Sequence, residues 1–140
     1  MEKKTLILDA SVIIKWYFEE QDSEKTIRIR DLYRNYIIEI IVPDLLYYEI
    51  TNAIRFNRNI TAREKIRIIK NLFEINLETK VLDTQDFIDA LNSADKYDTT
   101  IYDTIYYILA KKLNGKYITA DQDFYSKVND KNVELLENWK

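Results

Sequence analysis

The sequence predicts an α/β fold in three layers, with helices on both faces of a central, mainly parallel sheet of four to five strands. Short apolar runs of strand type alternate along the chain with longer segments of helical periodicity. This alternation is typical of parallel sheets whose strands are joined by helices. The 140 residues contain no linker, low-complexity stretch or internal repeat. We therefore expect one domain over residues 1–140.

The first strand is predicted at residues 6–8, where a short apolar run ends in Asp9. Ser11 follows, and its hydroxyl is expected to cap a short, mostly buried helix over residues 12–18. Residues 24–35 then show the periodicity of an amphipathic surface helix. Asp9 thus stands at the carboxyl end of a strand, the edge of an open parallel sheet where ligands and reacting groups gather.

A second strand is predicted at residues 37–42, followed by a helix over residues 44–57. In this helix Leu45, Glu49 and Ala53 stand at i, i+4 and i+8. This spacing places Glu49 on an apolar stripe instead of the solvated face.

Thr61 and Glu64 form a capping box, which predicts the start of a helix that runs to residue 74. A third strand is predicted at residues 77–82 and a further helix at residues 84–96. The latter helix is expected to point three apolar side chains into the core: Phe87, Ile88 and Leu91.

The segment 101–113 is almost wholly apolar or aromatic apart from Asp103, Thr104 and its terminal lysines, so it predicts the most buried helix. Gly115 stands where a left-handed helix C-cap is expected. A fourth strand at residues 117–120 ends in Asp121 and so repeats the opening arrangement of strand and acid. The chain finishes with a short helix and a last strand, at residues 122–128 and 133–136.

The composition narrows the chemistry, since the chain has no histidine, no cysteine and a single glycine. This excludes Ser-His-Asp and Cys-His nucleophilic systems, His/Cys zinc sites, disulfides and glycine-rich phosphate loops. The 21 basic and 24 acidic residues give a net charge of -3, so nucleic-acid contact would need a local patch or a metal. An enzyme of this composition must work through its acids, together with a hard metal ion that prefers oxygen ligands.

The charged N-terminal residues precede an apolar run that Asp9 cuts short. We therefore expect neither a signal peptide nor a membrane span. The absence of cysteine agrees with a reducing compartment, and we expect a soluble, cytoplasmic protein.

Four carboxylates stand out by their position: Asp9, Glu49, Asp103 and Asp121. Each also has an ordinary explanation when taken alone. Asp9 could simply end a strand, Asp103 could complete a capping box with Thr100, and Asp121 could be a plain N-cap. Glu49 has no equally easy structural role. Burying such charges is costly unless they share a cation or hydrogen-bond donors, and a divalent metal would compensate all four together.

Further polar residues lie near these acids in the sequence, and each has a structural reading as well. Ser11 and Asn52 could orient groups at the site, and Asp123 could join a metal shell or be solvated. The basic residues of the helices after the second strand could follow a nucleic-acid backbone or form a solvated face. The candidates for substrate binding are Lys15, Arg55 and Arg58.

Taken together, these residues resemble the PIN-domain nucleases, and in particular the VapC-type toxins of prokaryotic toxin-antitoxin pairs. The resemblance lies in three blocks in the family's order: LILDASVIIKWY at residues 6–17, PDLLYYEITNAI at residues 43–54 and IYDTIYYILAKKLNGKYITADQDF at residues 101–124. The family's four acids fall on Asp9, Glu49, Asp103 and Asp121. The chain departs from the family at Thr104, where alanine is common, and we expect the change to be tolerated.

The resemblance implies a PIN-like α/β/α fold and an acidic cluster that binds Mg²⁺ or Mn²⁺. The implied activity is that of a metal-dependent endoribonuclease that hydrolyses RNA phosphodiester bonds and leaves a 5′-phosphate and a 3′-hydroxyl. The implied partners are an RNA substrate, a cognate antitoxin protein and a second copy of the chain in a homodimer. Two alternatives stay open at this point: a PIN-type nuclease of RNA processing or decay without a toxin role, and a catalytically inactive interaction module.

Overall fold

Strands and helices alternate along the computed structural model, which describes residues 2–140. The strands are β1 (Lys4–Leu8), β2 (Ile38–Pro43), β3 (Glu78–Lys80), β4 (Lys116–Thr119) and β5 (Val133–Leu135). The helices are α1 (Ala10–Ile13), α2 (Ser23–Arg34), α3 (Leu45–Arg55), α4 (Ala62–Glu74), α5 (Thr84–Tyr97), α6 (Ile101–Lys112) and α7 (Gln122–Val128). Two short 3-10 helices lie at Ile14–Trp16 and Leu136–Asn138.

The five strands form one parallel sheet in the order β3-β2-β1-β4-β5. The central strand β1 pairs with β2 on one side and with β4 on the other, so that Leu6 lies beside both Ile40 and Lys116. The chain therefore changes direction across the sheet at β1, and the crevice at the carboxyl end of such a strand is the usual binding place in open α/β sheets.

Alternate residues of the strands enter two separate cores, because successive side chains of a strand point to opposite faces of the sheet. Leu6 and Leu8 pack with apolar residues of α1 to α4, whereas Ile7 packs with those of α5 to α7. The same division separates Tyr117 from Ile118 in β4. Helices thus cover both faces of a parallel sheet, and the predicted three-layer α/β/α fold is confirmed.

Two local predictions are confirmed as well. The capping box is present: the Thr61 hydroxyl accepts a hydrogen bond from the backbone N–H of Glu64, whose carboxylate accepts one from the N–H of Thr61. Helix α6 is deeply buried, and every residue from Thr104 to Ala110 lies out of solvent. No helix within residues 2–140 combines the length and the apolar character needed to cross a membrane.

The predicted cap of the first helix was wrong. Helix α1 begins at Ala10, and its N-cap is Asp9 and not Ser11. After one α-helical turn the chain continues as a 3-10 helix. The Asp9 carboxylate accepts a hydrogen bond from the N–H of Val12, as an N-cap does. Ser11 already lies inside the helix.

The predicted inward face of α5 was also wrong. The side chains of Phe87, Ile88 and Leu91 are 46 to 53 % exposed. The buried row contains Asp86, Ala90 and Ala94 instead, and the alanines are buried in the contact of α5 with α6. Small side chains allow two helices to approach closely, and this approach leaves the larger residues at the rim.

Gly115 does not provide a left-handed cap, since the positive φ of 52° belongs to Asn114. A side chain at Gly115 would place its Cβ 2.9 Å from the carbonyl oxygen of Thr5 and 2.9 Å from Cδ1 of Ile7. The glycine is therefore required by the close approach of this segment to β1 and not by its own dihedral angles.

Candidate active site

Asp9 lies where β1 ends and α1 begins, and it is 7 % exposed. Its Oδ1 accepts hydrogen bonds from the Ser11 hydroxyl at 2.5 Å and from the N–H of Val12 at 3.3 Å. Its Oδ2 accepts from the hydroxyls of Tyr117 and Thr119, both at 2.6 Å. Burial raises the pKa of Asp9 above the usual carboxyl range, and these four hydrogen bonds oppose the rise without cancelling it.

Glu49 lies on α3 at the boundary between core and solvent. The buried row of α3 is Leu46, Ile50 and Ile54, so the stripe predicted through Glu49 runs along the edge of the buried face. Its Oε1 accepts a hydrogen bond of 2.5 Å from the Tyr106 hydroxyl. Burial raises the pKa of Glu49, the Tyr106 hydrogen bond lowers it, and the charges of two neighbouring acids, Asp9 and Asp103, raise it further.

Asp103 lies in the first turn of α6, where Thr100 is the N-cap. The Thr100 hydroxyl accepts the N–H of Asp103 at 3.2 Å, but the Asp103 carboxylate accepts its hydrogen bond from the Thr99 hydroxyl, at 3.1 Å. The capping-box explanation of this acid is therefore only half present. Burial raises the pKa of Asp103, the threonine hydrogen bonds lower it, and the charges of Asp121 and Asp123 raise it further.

Asp121 is the N-cap of α7, and its carboxylate accepts the N–H of Phe124 at 3.1 Å. Its own N–H donates to the Thr119 hydroxyl at 3.1 Å, which is the hydroxyl that donates to Asp9. One buried hydroxyl therefore links the two acids that end β1 and β4. Asp123 is exposed in the first turn of α7, and its Oδ2 lies 3.3 Å from Nζ of Lys127 in an ion pair.

Two tyrosines complete the cluster, and spacing alone did not identify them. Tyr106 lies three residues after Asp103 on α6, which places both on one face of that helix. Tyr117 lies two residues before Thr119 on β4, and residues i and i+2 of a strand share a face. Both tyrosines are buried, with 1 % exposure for Tyr106 and 0 % for Tyr117. The sequence signal that could have identified the two tyrosines is this periodicity, which places Tyr106 on the helix face of Asp103 and Tyr117 on the strand face of Thr119.

The remaining candidates occupy different positions. The Ser11 hydroxyl donates to Asp9 and accepts the N–H of Ala120 at 3.1 Å, so it ties the ends of β1 and β4 together. Asn52 is exposed and lines a cleft of about 620 Å³ beside α3, together with Tyr48 and Arg55. Within residues 2–140 no hydrogen bond joins Asn52 to any of the four acids.

The three basic candidates also differ from one another. Lys15 is held beside Glu20, with 3.4 Å between Nζ and Oε2, and it lines a small cavity that includes Ala120 and Gln122. Arg55 and Arg58 are both exposed. The guanidinium of Arg55 lies 4.6 Å from the centre of the Phe56 ring.

The sequence model of the family described as PIN domain matches residues 6–129 of this chain. The chain belongs to the PIN domain family. The resemblance seen in the sequence is thereby confirmed, and the matched range contains all four acids.

Individual relatives agree with this PIN domain assignment. Over 126 residues the chain is 29 % identical to a protein named Ribonuclease VapC3 from Pyrobaculum aerophilum, with 87 % of this chain and 93 % of that protein aligned. A solved toxin-antitoxin complex from Klebsiella pneumoniae matches at a TM-score of 0.69 and 10 % identity, over 94 % of this chain and 97 % of that one. The VapBC-1 structure from nontypeable Haemophilus influenzae matches at a TM-score of 0.65 and 18 % identity, over 96 % of this chain and 99 % of that one. At these identities the two structures show the shared fold.

The donors of this PIN domain suit a hard divalent cation. Asp9, Glu49 and Asp103 offer only oxygen atoms, which Mg²⁺ and Mn²⁺ prefer. Burial raises the pKa of all three, and neighbouring carboxylates raise two of them further, a repulsion that a shared cation offsets. Within residues 2–140 no three acidic side chains converge tightly enough to form a metal site as they stand. The donor set therefore fits the ion in its chemistry, and binding requires the side chains to adjust.

Proposed function

We propose that the chain is a Mg²⁺- or Mn²⁺-dependent endoribonuclease and the toxin component of a type II toxin-antitoxin pair, with residues 1–140 acting as one PIN domain in the cytoplasm. The observation that carries this proposal is the group of three acids at the carboxyl edge of the sheet. The charges of Asp9 and Asp103 both raise the pKa of Glu49, so two of these carboxylates lie close enough to act on the third. The names of the relatives, a ribonuclease and two toxin-antitoxin assemblies, support the same proposal.

In this proposal Asp9, Glu49 and Asp103 hold the cation, and Asp121 completes the site beside Asp103. The bound ion supplies Lewis-acid chemistry, because it makes water a competent nucleophile at neutral pH and offsets charge on the phosphodiester. The protein contributes the fixed orientation of the carboxylates. Ser11 and Thr119 hold Asp9 at the end of β1, and Thr99 holds Asp103 at the start of α6.

RNA is the proposed substrate, and the protein must bind its backbone in spite of a net charge of -3. The proposed contacts are Lys15, Arg55 and Arg58, with Asn52 and Asp123 at the border of the site. Arg55 and Arg58 support this role through their exposure on or just after the helix that carries Glu49. Exposed cations there add a local positive potential at the approach to the acids.

The proposed assembly is a homodimer that a cognate antitoxin binds. Three half-exposed apolar residues of α5 support a protein contact, since a contiguous apolar surface of this kind is typical of interfaces. Light scattering of the purified chain measures the dimer. Co-expression with the neighbouring reading frame and affinity capture of the chain measure the antitoxin.

The test of function is cleavage of total cellular RNA by the purified protein with and without Mn²⁺, with the ends of the products mapped. Wild type is expected to cleave only with the ion, and Asp9→Asn is expected to lose at least about 100-fold in rate, because one carboxylate of the cation site is gone. Circular dichroism verifies that the variant is folded. Unchanged cleavage by a folded Asp9→Asn protein would refute the site.

Further measurements on the same protein separate the other two functions. Cleavage without growth arrest on expression, and without an inhibitory partner protein, would indicate an RNA-processing nuclease. Calorimetry that detects neither Mg²⁺ nor Mn²⁺ binding would indicate an interaction module.

A further inference from the structure

Two tyrosine rings lie stacked directly behind the acids. Tyr106 comes from α6 and Tyr117 from β4, and their ring centroids are 5.6 Å apart with 18° between the planes. Neither ring is more than 1 % exposed. Packing on every side removes the freedom of both rings, so the position of each hydroxyl is set by the core of the protein.

Each of the two hydroxyls donates to a different acid. Tyr106 donates to Oε1 of Glu49 at 2.5 Å, and Tyr117 donates to Oδ2 of Asp9 at 2.6 Å. The second oxygen of the carboxylate differs between the two acids. Within residues 2–140 no side chain or backbone group donates to Oε2 of Glu49, and Oδ1 of Asp9 has one short bond and one long bond of 3.3 Å. Oε2 of Glu49 thus keeps its capacity for a ligand, whereas a cation at Asp9 would share Oδ1 with its present donors or take the place of one of them.

We propose that Tyr106 and Tyr117 are positioning residues that orient the carboxylates of Glu49 and Asp9 for the divalent cation. The inference rests on the proposed function insofar as those two acids bind the ion. The stacked rings set the spacing of the two hydroxyls, and each hydroxyl fixes one carboxylate oxygen. Hydrogen bonds of this kind behind the ligands raise metal affinity because they remove the orientational freedom that binding would otherwise have to freeze.

Phenol is well suited to this role. It reaches an acid at the sheet edge from a ring that is anchored in the core, and its hydroxyl donates without adding a charge to the site. A pure packing role would require the ring but not the oxygen, so replacement by phenylalanine separates the two roles. The phenylalanine ring keeps the stack and removes only the donor.

The test measures Mn²⁺ affinity by calorimetry on the full chain without RNA, followed by Mn²⁺-dependent RNA cleavage. Tyr106→Phe and Tyr117→Phe are each expected to weaken Mn²⁺ binding about 10- to 100-fold. The matched control is Tyr107→Phe on the same helix. Tyr107 is also 1 % exposed, and its hydroxyl also donates to a carboxylate, but that carboxylate is Asp130, at 2.6 Å. Loss of the Tyr107 hydroxyl is expected to leave Mn²⁺ affinity unchanged.

Paired variants show through which acid each tyrosine acts. Tyr117→Phe is expected to have no further effect on Mn²⁺ affinity in an Asp9→Asn background, and Tyr106→Phe none in a Glu49→Gln background. In the crossed pairs the two effects are expected to add, because the changes then concern different ligands. Thermal unfolding verifies that each variant is folded.

Three outcomes would overturn the proposal. The first is wild-type Mn²⁺ affinity in both tyrosine variants, and the second is a loss of affinity in Tyr107→Phe as large as in those variants. The third is a loss of affinity on adding Tyr117→Phe to Asp9→Asn as large as the loss in the wild-type background. Failure of the proposed function gives a different result. A wild type that binds Mn²⁺ but does not cleave RNA refutes the nuclease, and the affinities still decide the role of the tyrosines. A wild type that binds neither ion overturns both.

Discussion

Replacing Thr119 by Val tests the link between the two strands that carry acids. The side chain is fully buried at 0 % exposure. Its hydroxyl donates to Asp9 Oδ2 at 2.6 Å and accepts the N–H of Asp121 at 3.1 Å. Valine keeps the branched shape of threonine but leaves the carboxylate without one donor and the N–H without its acceptor.

The cost follows from these two contacts. A hydrogen bond to a charged group contributes about 1.5–3 kcal/mol, and a buried donor left without a partner costs about 1–3 kcal/mol. Partial solvent access at the half-buried Asp121 reduces the second amount, so we expect a loss of about 3 kcal/mol in the free energy of unfolding. For a chain of 140 residues, an unfolding entropy of about 2.1 cal/mol/K per residue converts this loss to a fall of about 10 °C in Tm.

The assay is thermal unfolding by circular dichroism at about pH 8, well above the ordinary carboxyl pKa near 4. Thr104→Val is the matched control. Thr104 is also 0 % exposed, but its hydroxyl donates at 3.0 Å to two uncharged carbonyls, those of Ala90 and Ile101. We expect a loss of about 1 kcal/mol for the control, or about 3 °C in Tm. Equal losses in the two variants would refute the claim that Thr119 supports a charge.

Two further outcomes follow from the structure. The raised folded-state pKa values of Asp9, Glu49 and Asp103 mean that protonation favours the folded state, so the stability they contribute below their ordinary pKa is lost as pH rises through the raised values. Glu49→Gln is therefore expected to melt above wild type at neutral pH and to lose that advantage in acid, and a Tm difference that does not change with pH would contradict this. Gly115→Ala forces a Cβ to within 2.9 Å of the Thr5 carbonyl oxygen; we expect a loss of about 1–3 kcal/mol in urea unfolding, and an unchanged midpoint would disprove the close approach.

The sequence was sufficient for the fold and for the positions of the acids. Apolar strands that end in Asp9 and Asp121 predict both the parallel sheet and the edge at which the proposed site lies, because strand and acid are neighbours in the chain. Periodicity also placed Glu49 near the buried face of α3, although the core row lies one residue further on. These features are local, and local patterns can be read without knowledge of the packing.

The contacts that hold the acids could not be predicted in the same way. Tyr117 reaches Asp9 across 108 residues, and Tyr106 reaches Glu49 across 57. Which hydroxyl meets which carboxylate depends on strand register and on the rotation of α6, and neither is encoded in spacing. The error at α5 has a related cause, since periodicity identified an apolar row at Phe87 but could not show that the small residues would be chosen for the helix contact.

The central place of β1 also determines when the site can exist. Asp9 is made early, but the hydroxyls that hold its Oδ2 follow 108 and 110 residues later. Ribosomes add about 5–20 residues per second, so roughly 5 to 20 s separate the acid from its donors. During that interval Asp9 Oδ2 lacks both of its donors, because β4 has not yet been added to the sheet beside β1. For the proposed nuclease, this order means that the site cannot be complete before β4 has been made.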